Sequence, residues 1–270
     1  MISQNKLFDK YLELLNVEKS RPNLDLLGRI VRAHLIKIPF ENISKLIYKK
    51  QGMNEIPDLS TFLEGIEKYN FGGTCYTNNF YFYSLLKHLG YNLKLCGADM
   101  KNPDVHLISI VTIDKNEYII DGGYAAPFFE PLPRNLSSDY LITFGNEKYI
   151  IKPKDEFGRT RVEQYTEGKL QHWYLAKPEE RKIEDFRKVI ENSYSDDAVF
   201  MNAVRITKFL ENGSLVLKNL SLSETRRNKS STIKISRDEI HSVIQENFGM
   251  PSGVVKEAIS ILTDLKDIYD

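Results

Sequence analysis

The sequence predicts an α+β protein built in three successive parts: a helical first third, a central run of antiparallel strands, and a mixed α/β end. Two patterns predict this. Apolar residues recur at helical spacing up to about residue 90, and beyond it they gather in short runs rich in β-branched and aromatic residues. After about residue 195, strand-like and helix-like segments alternate. We therefore expect units at residues 1–90, 91–195 and 196–270.

The first part holds four predicted helices. Their apolar stripes and end signals place them near residues 7–15, near 24–35, at Leu59–Tyr69 and from Cys75 to His88. Gly90 ends the fourth helix, because glycine adopts the left-handed conformation common at helix C-termini.

The central part consists of short strand-like runs. They lie at 106–113, 117–121, 139–144, 147–152, 160–165 and 171–176. Turn signals such as Gly145-Asn146 separate them. This spacing favours an antiparallel barrel or sandwich over βαβ crossovers.

A charged helix is expected near 178–191, at the end of the central part. The last part mixes both kinds of element: we expect strands near 203–209 and 214–222, a helix opened by the capping box Ser236–Glu239, and a final amphipathic segment at 253–268.

The composition narrows the class of partner. The chain has 270 residues, of which 41% are apolar, enough for a sizeable core. Its 37 basic and 37 acidic residues cancel, so no overall field would gather nucleic acid or an anionic membrane. The N-terminus lacks the features of a signal peptide, and two cysteines cannot build a disulfide framework. We expect a cytoplasmic protein that binds a small molecule, with no nucleic-acid or membrane partner.

Cys75 is the first candidate for chemistry. It follows Gly72-Gly73 and Thr74 at the predicted start of a helix, where the partial positive charge favours a thiolate. The two glycines would let backbone N–H groups approach a substrate oxygen closely. A lone cysteine is more often a small core residue than a nucleophile, so the assignment depends on its partners.

His106 and Asp121 are the predicted partners. Of five histidines, His106 alone opens a strongly β-patterned run, and Asp121 ends the next such run. A hairpin turn at Asp114–Asn116 would place the two residues opposite one another on neighbouring strands. A thiol, a base and an acid that orients the base form a nucleophilic site. Cys96, in a predicted strand without such partners, is interpreted as a core residue, and no metal-binding motif occurs.

Four motifs in this order resemble the arylamine N-acetyltransferase family. They are IPFEN at 38–42, FGGTC at 71–75, VHLISIV at 105–111 and DGGYAAPFFEPLP at 121–133. The resemblance covers roughly residues 1–200. It implies an N-terminal helical bundle, a central antiparallel β-barrel and a C-terminal α/β lid around a cysteine-protease-like Cys-His-Asp core.

The resemblance also implies roles. Cys75 would accept the acyl group, His106 would be its ion-pair partner and proton shuttle, and Asp121 would orient the imidazole. Phe40 and Tyr124 would line the acceptor pocket. The donor would be acetyl-CoA, the acceptor an aromatic amine or hydrazine, and no metal would be needed.

Two positions depart from the family pattern. Phe71 stands where the family has arginine, and Thr77 stands where an acidic residue is common. If those two pair in the family, losing both leaves no orphaned charge. The departures keep one alternative open, an altered-specificity or non-catalytic homologue that binds acyl-CoA or an aromatic ligand. The residue order keeps a second one open, a cysteine hydrolase with the same Cys-His-Asp order.

Overall fold

A computed structural model describes residues 4–263 and residue 265. The helices are α1 (Gln4–Leu15), α2 (Leu24–Lys37), α3 (Ile43–Lys50), α4 (Leu59–Tyr69), α5 (Cys75–His88), α6 (Arg187–Asn192), α7 (Ile240–Phe248) and α8 (Ser252–Ile259). Short 3-10 turns lie at Ile183–Phe186 and Val199–Met201. The strands are β1 (Phe40–Glu41), β2 (Asn92–Asp99), β3 (His106–Ile113), β4 (Asn116–Ile120), β5 (Leu132–Pro133), β6 (Tyr140–Phe144), β7 (Glu147–Ile151), β8 (Thr160–Thr166), β9 (Lys169–Glu180), β10 (Arg205–Leu210), β11 (Gly213–Lys218), β12 (Ser221–Arg226) and β13 (Lys229–Lys234).

Capping residues mark where the N-terminal helices begin and end. The Asn23 side chain accepts a hydrogen bond from the Leu26 N–H at the start of α2, and Asp58 does the same for Thr61 in α4. Asn70 adopts the left-handed conformation that ends α4. Within the described residues, no helix has the length and apolar character needed to cross a membrane.

Eight strands form the central sheet, which curls into a nearly closed antiparallel barrel. Their order is β5-β4-β3-β2-β9-β8-β7-β6, with neighbours along most of the sheet joined as hairpins. Apolar side chains from α1, α2, α4 and α5 pack with the inner face of the barrel in one core. The predicted fold class is confirmed, and of its two β alternatives the barrel is the one observed.

The second sheet joins the two ends of the chain. Strand β1 pairs with β10, and β11, β12 and β13 follow as an antiparallel meander. Asn42, directly after β1, strengthens this junction: its side chain donates to the carbonyls of Phe200 and Ala203 and accepts from the Arg205 N–H. A second core joins α3 to α7, α8 and this sheet. The unit boundaries at 90/91 and 195/196 remain a prediction, and packing crosses both.

Several C-terminal elements differ from the sequence prediction. The predicted strand at 214–222 is two strands, since the chain turns at Asn219 with a positive φ of 49°. The helix expected near 178–191 starts later, because β9 continues to Glu180. Helix α8 ends at Ile259, short of the predicted 253–268 segment, and residues 264 and 266–270 of that segment lie outside the described residues.

Candidate active site

Cys75 is the first residue of α5, and its loop lies tightly against β1. A Cβ at Gly72 would come within 2.0 Å of the Pro39 carbonyl oxygen, and one at Gly73 within 2.7 Å of Thr77 Cβ. Glycine is therefore required at both positions by close packing. The Cys75 side chain is partly buried, with Sγ 3.9 Å from the Val105 carbonyl oxygen.

Gly72 does not present its N–H group in the way the sequence suggested. The Gly72 N–H donates to Glu41 Oε1 at 3.1 Å, and the Glu41 N–H donates to the Gly73 carbonyl at 3.1 Å. The expectation that Gly72 offers its N–H to a substrate oxygen is therefore wrong. Its N–H instead fixes the loop before Cys75 to the Glu41 side chain.

His106 and Asp121 meet as a buried pair, with His106 Nε2 2.8 Å from Asp121 Oδ2. The hairpin turn between their strands consists of Asp114 and Lys115, which both have positive φ. The β3–β4 ladder ends at the pair Ser109–Ile120, so Asp121 lies just beyond it. The two side chains are diagonal neighbours rather than directly opposite as predicted, and this offset is still within reach of their side chains.

Asn79 holds this pair in place. Its amide nitrogen donates to Asp121 Oδ1 at 2.9 Å and to the Leu107 carbonyl at 2.6 Å, and its oxygen accepts from the Gly122 N–H at 2.8 Å. Asn79 thus joins α5, β3 and the loop after β4. Sequence analysis missed it. The available signal was its position four residues after Cys75, on the same face of α5.

The protonation state of His106 follows from its neighbours. Burial alone would lower the pKa of His106. The charge of Asp121 and the hydrogen bond to that carboxylate raise it, and a hydrogen bond and a charge interaction with Cys75 raise it further. These contributions outweigh burial and bring the pKa of His106 to about 10. His106 is therefore an imidazolium at neutral pH. A charged imidazolium beside a thiol is the arrangement that stabilises a nucleophilic thiolate.

Each of the two predicted pocket residues lies next to one part of this group. Phe40 is buried in β1, where its backbone forms an isolated parallel β-bridge with Gly73. Its ring packs edge-on against Phe200 with ring centres 5.5 Å apart. The ring of Tyr124 lies 5.6 Å from the ring of His106, and its hydroxyl is 2.7 Å from His172 Nδ1. One aromatic side chain therefore adjoins the Cys75 loop and the other adjoins His106.

Phe71 and Thr77, where the sequence departs from the family pattern, are both buried. Phe71 packs against Tyr69, and Thr77 packs against Gly73. Glu41, in the same region, is fully buried and makes no ion pair with residues 4–263 and 265. Its pKa is raised, because burial outweighs the hydrogen bonds from Ser44 and Gly72 that lower it. Glu41 is therefore a buried acidic side chain held by hydrogen bonds and not by a cation.

The other cysteine lies in a different environment. Cys96 is fully buried in β2, and burial raises its pKa to about 12. Its interpretation as a core residue agrees with this position. Over the part of the chain that the structure describes, no group of three His, Cys, Asp or Glu residues could hold a metal ion.

Comparison with known proteins agrees with this fold and site. A family model described as N-acetyltransferase matches residues 23–255. Human arylamine N-acetyltransferase 1 is 26% identical over 280 residues, covering 90% of this chain and 93% of the human protein. Proansamycin X synthase of Amycolatopsis mediterranei is 20% identical and covers 83% of this chain and 86% of its own.

Solved structures give the same answer for the fold. The arylamine N-acetyltransferase of Salmonella typhimurium superposes with a TM-score of 0.79 at 17% identity, covering 96% of this chain and 99% of that one. The Mycobacterium marinum enzyme, solved in complex with CoA, gives 0.78 at 19% identity, with coverage of 94% and 99%. Fold and comparisons together define an enzyme of the acyltransferase class. The chain belongs to the N-acetyltransferase family, and the resemblance indicated by its four sequence motifs is confirmed.

Proposed function

We propose that this protein transfers an acetyl group from acetyl-CoA to the nitrogen of an aromatic amine, hydrazine or similar acceptor, by a ping-pong mechanism through an acetyl-Cys75 intermediate. The observation that carries the proposal is the Cys75–His106–Asp121 group, in which a buried imidazolium lies between a carboxylate and a helix N-terminal thiol. The names of the relatives and the CoA complex of the Mycobacterium marinum enzyme support it.

In the first half-reaction the Cys75 thiolate attacks the thioester carbonyl of acetyl-CoA. The C–S bond to CoA breaks, and the His106 imidazolium gives its proton to the departing CoA thiolate. One thioester replaces another, so the acetyl-enzyme forms without a large change in free energy. Asp121 keeps the imidazole oriented and stabilises its charged form throughout.

In the second half-reaction the acceptor nitrogen attacks acetyl-Cys75. Neutral His106 takes a proton from the attacking nitrogen, the C–S bond breaks, and the Cys75 thiolate and the imidazolium are restored. Acetylation favours this step, because it removes the thiolate that helps to keep His106 protonated. A weakly basic amine suits the site, since it is neutral and nucleophilic near pH 7.

Phe40 and Tyr124 are the proposed walls of the acceptor pocket. Both are aromatic side chains beside the reacting group, and aromatic faces stack on a flat aryl amine. The proposal includes CoA and the acceptor as the small-molecule partners, with no metal, nucleic acid or membrane. Residence in the cytoplasm, expected from the sequence, is part of the same proposal.

The test is the intact mass of the protein after brief incubation with acetyl-CoA, followed by a chase with aniline or a simple hydrazide. We expect one acetyl adduct in the wild type, no adduct in Cys75→Ser, and loss of the adduct on addition of the amine. Cys96→Ala is the matched control. It should retain the adduct and most of the turnover, because Cys96 is a fully buried core residue that a substrate cannot reach.

The other outcomes identify the alternatives. Release of CoA without any amine would indicate a cysteine hydrolase. Absence of an adduct with acetyl-CoA and with other acyl-CoA donors, in a folded and reduced protein, would contradict acyl transfer and favour a ligand-binding homologue. An adduct that survives in Cys75→Ser would remove Cys75 from the mechanism.

A further inference from the structure

The segment before His106 is held by a group of ion pairs that the proposed mechanism does not use. Residues 100–105 connect β2 to β3, and two cations at the end of β9 bind the Asp104 carboxylate. Lys177 Nζ lies 2.7 Å from Oδ1 of Asp104, and Arg181 Nη1 lies 3.0 Å from Oδ2. Only 22% of the Asp104 side chain is exposed. Ion pairs joined in a partly buried network fix a segment better than single exposed pairs do.

Asp104 is the carboxylate that the two cations share. Lys177 also pairs with Asp99 at 2.7 Å, and Arg181 also pairs with Asp185 at 3.1 Å. Burial acts to raise the pKa of Asp104, but hydrogen bonds and charges from the two cations outweigh burial and lower it, so the carboxylate is ionised at neutral pH. If Asp104 lost its charge, each cation would still keep one carboxylate.

The backbone of Asp104 is fixed together with its side chain. Its φ of 55° lies in the left-handed region, which aspartate and asparagine adopt more readily than other residues with a side chain. Its N–H donates to Asp99 Oδ1 at 2.9 Å. A Cβ at Gly97 would come within 2.1 Å of Asp104 Oδ1, and Gly97 lies where the β2–β9 pairing is irregular. The carboxylate therefore occupies space that any other residue at position 97 would fill.

Asp104 connects the two segments that carry the reacting side chains. Its carbonyl accepts a hydrogen bond from the Tyr76 hydroxyl at 3.2 Å, and Tyr76 directly follows Cys75 on α5. The next residue, Val105, has its carbonyl oxygen 3.9 Å from Cys75 Sγ. His106 follows directly and begins β3. A change in the path of this segment would therefore move both Val105 and His106 relative to the sulfur.

We infer that Asp104 is a positioning residue for the Cys75–His106 pair. Its two ion pairs hold the Val105 carbonyl and the start of β3 against the sulfur, and so keep the thiolate and the imidazolium together. Asp104 acts through the backbone of its own segment and contacts no reacting atom. The effect on acetyl transfer rests on the proposed function, but the effect on the thiol does not.

The test is the rate of Cys75 alkylation by iodoacetamide as a function of pH, located by peptide mass spectrometry. Asp104→Asn removes the charge and keeps a residue that adopts the left-handed conformation. We expect it to raise the pH midpoint of alkylation by roughly one unit, and so to slow alkylation at pH 7 by roughly 10-fold, because a sulfur displaced from the imidazolium keeps its proton to higher pH. Lys177→Met and Arg181→Met should each have a smaller effect, since one ion pair to Asp104 remains.

Asp185→Asn is the matched control. Asp185 binds the same Arg181 and the Lys182 N–H, and within the described structure it makes no hydrogen bond or ion pair with residues 100–105. It should be alkylated like the wild type. A folded Asp104→Asn protein with the wild-type midpoint would overturn the inference, and so would an equal shift in Asp185→Asn.

Two further comparisons keep the inference testable. If Asp104→Asn fails to fold, the Lys177→Met and Arg181→Met proteins replace it, and a wild-type midpoint in both would overturn the inference. Alkylation needs no acetyl-CoA, so the two proposals can fail separately. A raised midpoint in Asp104→Asn, when the wild type forms no acetyl adduct, refutes only the transferase proposal. An adduct in the wild type with an unshifted midpoint in Asp104→Asn refutes only the role of Asp104.

Discussion

Two histidines are fully or almost fully buried in this protein, and their surroundings make one of them positively charged and the other neutral at pH 7. His106 has Asp121 at 2.8 Å, and its pKa is raised to about 10. His34, on α2, stacks on Phe82 with ring centres 4.1 Å apart, and its Nδ1 lies 3.1 Å from the Tyr11 hydroxyl. Its Nε2 has no hydrogen-bond partner within the described residues. Burial lowers the pKa of His34 to about 3. The neighbouring Asp121 carboxylate, with a further contribution from Cys75, therefore separates an imidazolium from a neutral core residue.

The loop that follows β4 lies against both histidines, which sharpens the contrast. A Cβ at Gly122 would come within 2.7 Å of His34 Nε2, and Gly122 directly follows Asp121. One loop thus contacts the neutral histidine through a glycine and the charged one through an aspartate.

The two histidines also act on stability at opposite ends of the pH range. His34 has a lowered pKa in the folded state, so its contribution is present above about pH 6.5 and is lost as the pH falls toward about 3. His106 has a raised pKa in the folded state, so its contribution is present below about pH 6.5 and is lost as the pH rises toward about 10. Together, His34 and His106 favour a maximum in the free energy of unfolding at neutral to slightly acidic pH.

The largest expected effect comes from removing the carboxylate that distinguishes the two histidines. Asp121→Asn should make His106 resemble His34: its pKa should fall below the ordinary value because burial then dominates. Acetyl transfer should drop by about 10⁴-fold, as when the acid of a comparable triad is neutralised. Histidine NMR titration and turnover measure both effects.

Asp114→Asn, in the exposed turn of the same hairpin, is the control and should change neither quantity. An unfolded Asp121→Asn protein would mean that Asp121 is mainly structural. An unchanged His106 titration would contradict the assignment of the raised pKa to this carboxylate.

A smaller effect is expected from Asn79→Ala. This change removes the hydrogen bond that Asn79 donates to Asp121 but keeps the Asp121 carboxylate. Turnover should fall by roughly 10- to 100-fold, because misplacement of a reacting group by about 1 Å has this effect. Unfolding free energy should fall by about 2 kcal/mol, since buried partners lose their hydrogen bonds. Steady-state kinetics and urea denaturation provide the two values.

Asn78→Ala is the matched control for that variant. Asn78 is also fully buried and donates to the Pro39 carbonyl at 3.2 Å, with no bond to Asp121. It should lose similar stability with a smaller loss of turnover. Equal losses of turnover in both variants would show that Asn79 acts only through general packing.

The smallest effect on activity is expected at His34. His34→Leu should lose about 1–2 kcal/mol at pH 7, because the buried Tyr11 hydroxyl loses its partner. It should also be less sensitive to acid: the fall in unfolding free energy between pH 7 and pH 4 should shrink by roughly 2–3 kcal/mol. Denaturation curves at the two pH values test this.

His241→Leu, on α7, provides the comparison, because His241 bonds only to the nearby Ser252 hydroxyl in the described structure. It should retain the wild-type response to acid. A His34→Leu protein that is still fully acid-sensitive would assign acid unfolding to other groups.

Local signals predicted the elements around the site well. Helices α4 and α5 and strand β3 begin and end where the sequence indicated, because caps, glycines and apolar periodicity all lie within those segments. Helix α3 was missed, since eight residues between loops give too short a pattern. Strand β13 was missed because its sequence is exposed and mostly polar.

Within the site, residue types and order were enough to select Cys75, His106 and Asp121, which the fold brings together. Their supporting side chains were not found. Asn79 acts through contacts with segments 28 to 43 residues away in the chain, so its position one turn after Cys75 could suggest that it lies near the site but not what it contacts. The use of the Gly72 N–H by Glu41 likewise depends on a contact between distant segments.

Strand β1 determines when, during synthesis of the chain, the Cys75 loop can reach its folded position. The Gly72–Gly73 loop rests on Glu41, and β1 is itself held by β10 and by the carbonyls of Phe200 and Ala203. A chain emerging from the ribosome therefore carries Cys75 long before the segment that fixes the loop has been synthesised. We expect the thiol to reach its working position only after about residue 207 has emerged, so a nascent chain should hold no assembled site for most of its synthesis.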